Sequence, residues 1–467
     1  MNLFINREEE LNFLNQRYKS GKAEFLVIYG RRRVGKSELV KQFSKNNPTI
    51  YFLATRTTES NHLRKFLARI SSFFEKYPPM IDSWEACFDY INKNLTDKKK
   101  TILIIDEFPY LIESNKEIPS LFQLFWDEYL KEKNILLILL GSSIGMMETE
   151  VLGKKSPLYG RRTGQIKLLP FKFKDVLKFY PKASVEKVIE FYSVVGSIPL
   201  YLLEFDQNKS VIENIRDKIL SKKELLNEEV EFLLKEELRD PATYQSILEA
   251  MATSTKATDI AQKADLELHN LNKYFKVLMK LDLIYKEVPV TIKKPKSKKT
   301  YYYIKDNFLE FWYRFCFPNS SLMEENPDFL LKNIIQPNLN NYVSKRFEKV
   351  CKEFLWDLNI KEKLPLIFHK IGKQWGKIKG AEKGKNTYEI DLCAINEKTK
   401  QILFGECKWK DKVNPKKVLE ELKEKAKYVD WYHEERKEYY AVFAKSFSKK
   451  IKEKDVYLFD LKDLEKS

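Results

Sequence analysis

Two textures of hydrophobic and polar positions alternate along this chain. The first is the short, wholly apolar run: Phe25-Leu26-Val27-Ile28-Tyr29, Ile102-Leu103-Ile104-Ile105 and Ile135-Leu136-Leu137-Ile138-Leu139-Leu140. Runs of that length, rich in β-branched residues and ending in glycine, acid or hydroxyl, predict parallel strands buried on both faces. The second is the 3.6-residue stripe. Glu38–Phe43 places Leu39, Val40 and Phe43 on one helical face, and helices are expected over Ser60–Tyr77 and Ser83–Leu95. Strands at Pro48–Leu53 and Gln165–Leu169 complete the set, with a turn at Lys98-Lys99-Lys100 and a first helix capped by Asn6. Strands alternating with helices predict an α/β domain with a parallel sheet over residues 1–170.

Beyond it, residues 171–240 read as leucine-, glutamate- and lysine-rich helix, interrupted at Val194–Tyr201 by a glycine–proline corner. Three helices follow at Tyr244–Ala252, Lys256–Ala264 and Leu268–Leu281. Strands at Leu283–Val288 and Thr300–Ile304 flank the basic link Lys293–Lys299, so residues 241–305 are expected to form a winged helix-turn-helix. An aromatic helical segment, Asp306–Phe317, leads through an expected linker, Glu324–Asn341; together residues 306–340 are read as a helical linker. The last unit, 341–467, begins with a helix at Tyr342–Leu358. Strands at Leu366–Trp375, Thr387–Ile395 and Gln401–Lys410 follow, with a polar turn at Ala381–Asn386. Helix Pro415–Tyr428 and strands Tyr439–Ala444 and Val456–Phe459 finish it.

Composition narrows the partners. A chain of 467 residues exceeds one core and, at ~150 residues per domain, implies about three. A formal charge of +17 favours polyanionic partners such as nucleic acid, or a membrane surface. Five scattered cysteines with no CxxC pair imply neither a disulfide framework nor a zinc site. No apolar run reaches ~18 residues and Met1–Glu8 lacks a signal-peptide pattern, so the expectation is a soluble cytoplasmic protein without a membrane partner.

Candidate chemistry begins at Gly30-Arg31-Arg32-Arg33-Val34-Gly35-Lys36-Ser37, which fits G-x-x-x-x-G-K-[ST] between an expected strand and an expected helix. Backbone N–H groups and the helix N-terminus cradle phosphates, Lys36 reaches the outer phosphates, and the Ser37 hydroxyl is placed to ligate Mg²⁺. Asp106 and Glu107 end the next apolar strand, where Asp106 is expected to hold Mg²⁺ through water and Glu107 to activate the attacking water. Ser142 or Ser143, ending a further strand, is placed either to touch the γ-phosphate or to cap a helix. Arg161 and Arg162, in a glycine-bounded loop, suit phosphate recognition or an arginine finger, in cis or from a second copy in a homo-oligomer; a surface salt bridge is the alternative.

A second constellation lies at the far end. Asp391 falls on one expected strand, and Glu406-x-Lys408 on the next, so Glu406 and Lys408 share a face. Asp391 and Glu406 offer oxygen ligands for Mg²⁺, Lys408 a positioning cation, and Glu348 on the preceding helix a further acid.

Phe4-x-Asn6-Arg7-Glu8, Gly30–Ser37, Ile105-Asp106-Glu107-Phe108, Leu140-Gly141-Ser142-Ser143 and Gly160-Arg161-Arg162 together resemble the archaeal ATPase family, a P-loop branch close to AAA+ and STAND proteins. The resemblance implies ATP as nucleotide, an additional-strand, catalytic-glutamate fold, and a helical lid whose corner carries Ser197 where the family has a second glycine. The order helix, three strands, helix, strand with Asp391, Glu406 and Lys408 resembles the PD-(D/E)xK, restriction-endonuclease-like superfamily, with Ile390 in place of the proline. The expected function is therefore an ATP hydrolase whose nucleotide state controls a nuclease-like domain on DNA. The alternatives are a STAND-like signalling switch and a DNA-binding regulator without cleavage.

Overall fold

The computed structural model describes residues 4–96, 99–238, 240–292, 299–378, 380–382 and 385–466. It divides into two compact units, Met1–Pro170 and Phe171–Ser467.

The first unit is built on five parallel strands: β1 (Glu24–Tyr29), β2 (Thr49–Leu53), β3 (Thr101–Asp106), β4 (Ile135–Gly141) and β5 (Gly164–Lys167). Their order is β2-β3-β4-β1-β5, which inserts β4 between the phosphate-loop strand and the acidic strand. Every residue of β1, β3 and β4 is buried. The reason is visible in the packing. Phe25, Val27, Leu103 and Ile105 face one apolar layer, while Leu26, Ile28, Ile102 and Ile104 face the other. Both layers need apolar partners, so the alternation that would mark a half-exposed strand vanishes and the runs become continuous.

Local expectations fail at two places in this unit. The first helix, Glu8–Tyr18, has Arg7 rather than Asn6 at its cap, with no side-chain cap; Asn6 and Arg7 both take positive φ. Arg7 is buried because its guanidinium donates to the Leu169 carbonyl at 2.7 Å and the Val34 carbonyl at 3.3 Å. Of the lysine turn, Lys98 lies outside the described residues. Lys100 is no solvated turn residue: it is buried, donating to the carbonyls of Arg17 and Lys22.

In the second unit the glycine–proline corner is present, with Gly196 at φ 71 between the helices Val185–Val195 and Pro199–Glu204. The segment expected as a lid packs onto the long helix Gln336–Ile360: the Phe173 N–H donates to Glu353 at 2.7 Å and Lys174 pairs with Asp357 at 3.2 Å. Helices Pro241–Thr253, Ala257–Lys263 and Leu268–Lys280 precede an antiparallel hairpin of β6 (Ile284–Glu287) and β7 (Tyr301–Ile304). Residues 293–298, which hold most of the basic link, lie outside the described residues.

The hairpin is not a free wing. Val290 is buried in the core of the last sheet, its N–H donates to the Lys373 carbonyl at 3.0 Å, and Tyr301 stacks on Trp375 at 4.7 Å. The stretch Glu324–Asn341, expected as part of a helical linker, is largely helical. It forms helical turns from Pro327 onward that bury Leu330, Leu331, Ile335 and Leu339.

The last sheet is mixed, ordered β12-β11-β10-β9-β8, with β8 (Lys370–Lys377), β9 (Thr387–Asn396), β10 (Gln401–Lys408), β11 (Lys437–Ala444) and β12 (Val456–Phe459). Strand β9 runs antiparallel to both β8 and β10, whereas β10, β11 and β12 run parallel. Helix Pro415–Ala426 supplies the crossover between β10 and β11. Among the described residues no helix is long and apolar enough to cross a membrane.

Candidate functional site

The loop Gly30–Ser37 joins the tip of β1 to the helix Lys36–Ser44, so the first N–H groups of that helix open onto it. Its glycines are dictated by geometry. A Cβ on Gly30 would meet the Leu168 carbonyl oxygen at 2.3 Å, and Gly35 takes φ 93, which L side chains resist. Arg33 also takes positive φ, at 67. The Lys36 ammonium is buried and donates to the carbonyls of Gly30 and Arg31 at 3.0 Å each, so it is held at the loop rather than extended into solvent. Arg31 and Val34 are buried, and Arg32 donates to the Tyr110 hydroxyl at 2.9 Å.

At the tip of β3, Asp106 is 1% exposed and surrounded by donors. The Ser37 hydroxyl donates to its Oδ2 at 2.7 Å, the Tyr51 hydroxyl donates to the same oxygen, and the Glu107 N–H donates to Oδ1 at 2.9 Å. A hydroxyl and a carboxylate oxygen this close, beside a loop of phosphate-binding N–H groups, form a donor set that fits Mg²⁺. Glu107 holds φ 54, a left-handed conformation that costs about 1–3 kcal/mol for a non-glycine residue and clusters at functional sites. Its carboxylate is received by β4: the Ser142 hydroxyl donates to Oε1 and the Ser142 N–H to Oε2 at 3.3 Å. Ser143, not Ser142, stands at the N-cap of the following turn.

The two arginines separate. Arg161 makes a two-pronged pair with Asp127, both nitrogens at 2.9 Å from Oδ2, and also donates to the Pro157 carbonyl. This is the salt bridge that the sequence left as an alternative. Arg162 instead lies 5.6 Å over the Tyr159 ring.

In the last sheet, Asp391, Glu406, Lys408 and Glu348 converge electrostatically. The β9–β10 pairing ends at Leu392 against Gly405, one step short of Asp391 and Glu406, and the Cys407 N–H donates to Asp391 at 2.9 Å. A register shift against β8 sets two residues of β9, Asp391 and Leu392, opposite the single residue Lys373. Such a bulge re-aims side chains. Burial first, then the charges of Glu348 and Glu406, push Asp391 up to about 7. Burial likewise raises Glu348, against the pull of Lys373.

Lys373 was not singled out in the sequence, yet its ammonium sits 2.6 Å from Glu348 and 3.1 Å from Glu389. Lys425, also missed, reaches both oxygens of Glu406 at 3.0 Å, while Lys408 holds Oε1 at 2.8 Å. The expected Mg²⁺ pair of Asp391 and Glu406 is therefore served by protein cations and a backbone N–H. Among the described residues, no three His, Cys, Asp or Glu side chains gather to hold a metal ion. Only the alternation of β10 hinted at this cluster; a residue opposite a bulge leaves no compositional trace.

Residues 4–205 match the family described as an ATPase domain predominantly from Archaea, and residues 312–439 match archaeal and bacterial proteins of unknown function. An uncharacterized protein of Methanocaldococcus jannaschii, MJECL04, is 40% identical over 465 residues, covering 99% of this chain and 100% of its own length. An uncharacterized ATP-binding protein of the same organism, MJ0625, is 22% identical over 342 residues, 65% of this chain and 98% of that protein. Among solved structures, a Walker-type ATPase of Pyrococcus abyssi is similar at 21% identity and a TM-score of 0.49, over 67% of this chain and 96% of that one.

Proposed function

From the premise that the chain belongs to the family of the M. jannaschii protein MJECL04 and carries an archaeal-type ATPase domain, we propose that it binds and hydrolyses ATP at Gly30–Ser37. The observation that carries this reading is the meeting of three elements at one sheet edge. Ser37 from the loop, Asp106 and Glu107 from β3, and Ser142 from β4 form one hydrogen-bonded chain of groups.

In this reading the loop N–H groups and Lys36 take the phosphates, releasing the Lys36 ammonium from the Gly30 and Arg31 carbonyls. Ser37 and Asp106 would hold Mg²⁺, which neutralises charge on the transferred phosphoryl group. Glu107 orients and deprotonates the attacking water, and Ser142 fixes which way its carboxylate points. Arg162 remains the candidate for a transition-state cation; Arg161 is committed to Asp127. The test is phosphate release from ATP with and without DNA. Turnover that Lys36→Ala abolishes supports the reading, and undetectable turnover in both conditions removes it.

A second reading concerns the last sheet, and one observation favours it: Glu348 and Glu406 press on Asp391, and Lys408 pairs with Glu406 at 2.8 Å, at one end of β9 and β10. On a +17 chain, that set suits action on a nucleic-acid phosphodiester, controlled by nucleotide state, with the three-helix and hairpin segment serving as a winged helix that contacts DNA. The cations now engaged by Glu406 would have to exchange partners before that site worked. Incubation with DNA in Mg²⁺ tests it: products lost in both Asp391→Ala and Lys408→Ala support cleavage, and equal products from all three proteins remove it.

A further inference from the structure

Tyr51 belongs to no motif singled out in the sequence, yet its hydroxyl touches Asp106. We infer that Tyr51 is a positioning residue for the Mg²⁺-binding face of Asp106, an inference that rests on the ATPase reading above.

The placement follows from register. In the parallel pair β2–β3, Tyr51 lies opposite Ile104, and Asp106 is two residues further on the same face. A phenol is long enough to span that step. Its ring packs with the apolar layer that includes Val40 and Ile104, under the helix that follows the phosphate loop. Its hydroxyl ends at the Asp106 carboxylate.

A carboxylate offers about four acceptor positions. At Asp106, Oδ2 receives Ser37 and Tyr51, and Oδ1 receives the Glu107 N–H. Three positions are used, so one on Oδ1 is left for a metal-bound water. Without the phenol, a second position opens on Oδ2 and the carboxylate is free to rotate toward it. An outer partner of this kind fixes ligand orientation, and its loss typically costs 10–100-fold in metal affinity. The effect falls on metal affinity, because the groups the Tyr51 hydroxyl touches are Asp106 and the Ser37 side chain, the two proposed Mg²⁺ ligands.

The experiment measures binding of a fluorescent ATP analogue to the full-length protein, first in EDTA and then across a Mg²⁺ titration. For Tyr51→Phe, which keeps the ring and its packing, EDTA binding stays within twofold of wild type. The half-saturating Mg²⁺ concentration rises roughly 10-fold. In an Asp106→Ala background the same substitution adds nothing, because the accepting group is gone. A melting curve confirms that Tyr51→Phe remains folded. An unchanged Mg²⁺ midpoint overturns the inference, as does an equal 10-fold rise on top of Asp106→Ala, and the ATPase reading survives both. Failure of wild type to bind the nucleotide under any condition overturns the two together.

Discussion

Ser142 holds Glu107 by both carboxylate oxygens, its hydroxyl on one and its N–H at 3.3 Å on the other. This joins the tips of two strands that are neighbours in the sheet but 35 residues apart in the chain. The strained φ of 54 at Glu107 is the backbone side of the same arrangement.

That pairing gives the first prediction. Ser142→Ala lowers kcat for ATP by about 10-fold or more, because a general base out of alignment forfeits much of a 10²–10⁴-fold contribution. KM shifts by less than about threefold, since the Ser142 side chain is engaged by Glu107, and Ser142→Thr restores most of the rate. Steady-state kinetics of the three proteins check it; a fall in binding with kcat intact would assign Ser142 to the phosphate instead.

Arg161 gives a prediction of the opposite kind. Its pair with Asp127 is partly exposed, so Arg161→Ala costs about 1 kcal/mol of stability or less. Turnover at saturating ATP changes by less than about twofold. Arg162→Ala, by contrast, lowers kcat if that side chain supplies the transition-state cation. Thermal melts beside kinetics of both variants separate the two arginines.

Asp391 makes the stability of the metal-free protein depend on pH. Its folded pKa of about 7 lies above the unfolded value of 3.8, so the folded state binds the extra proton between those limits. The stability from that bound proton is complete below pH 3.8 and is lost as pH rises through 7. Asp391→Asn never ionises, so relative to wild type its melting temperature gains as pH goes from 5 to 8. Over that range the stability difference between the two proteins widens by roughly 2 kcal/mol. Equal melting differences at both pH values would show that neither burial nor the charges of Glu348 and Glu406 raise it.

Lys373→Met should be costly for the second unit. It leaves Glu348 and Glu389 without the ammonium that pairs them, at 2.6 and 3.1 Å, and stranding a largely buried acid costs about 3 kcal/mol. Urea unfolding followed by tryptophan fluorescence reports the loss. A variant as stable as wild type would mean that the strand-bulge arrangement does not depend on this lysine.

What the sequence made legible follows burial. Strands β1, β3 and β4 are covered on both faces, so their apolar runs announced them, and the phosphate loop came with them. The β9–β10 acids were readable because alternation on a strand fixes which residues share a face. Contacts between elements were not readable. Tyr51 looks like any aromatic on a half-buried strand, and Lys373 gains its role from a register shift that single residues do not encode. In residues 324–341, read as part of a helical linker, Pro327 and Pro337 stand in first helical turns, where proline starts a helix rather than breaking it. That the hairpin packs on β8 was not readable either, because nothing in Val290 or Tyr301 announces that contact.

The central claim is ATP hydrolysis at the sheet edge where Ser37, Asp106, Glu107 and Ser142 meet, and the pair of Glu107→Gln with wild type tests it most directly. ATP binding by calorimetry and phosphate release are measured on both proteins in Mg²⁺. The account predicts that Glu107→Gln binds ATP within a few fold of wild type while turnover falls by about 100-fold or more. Turnover in Glu107→Gln equal to that of wild type would contradict it.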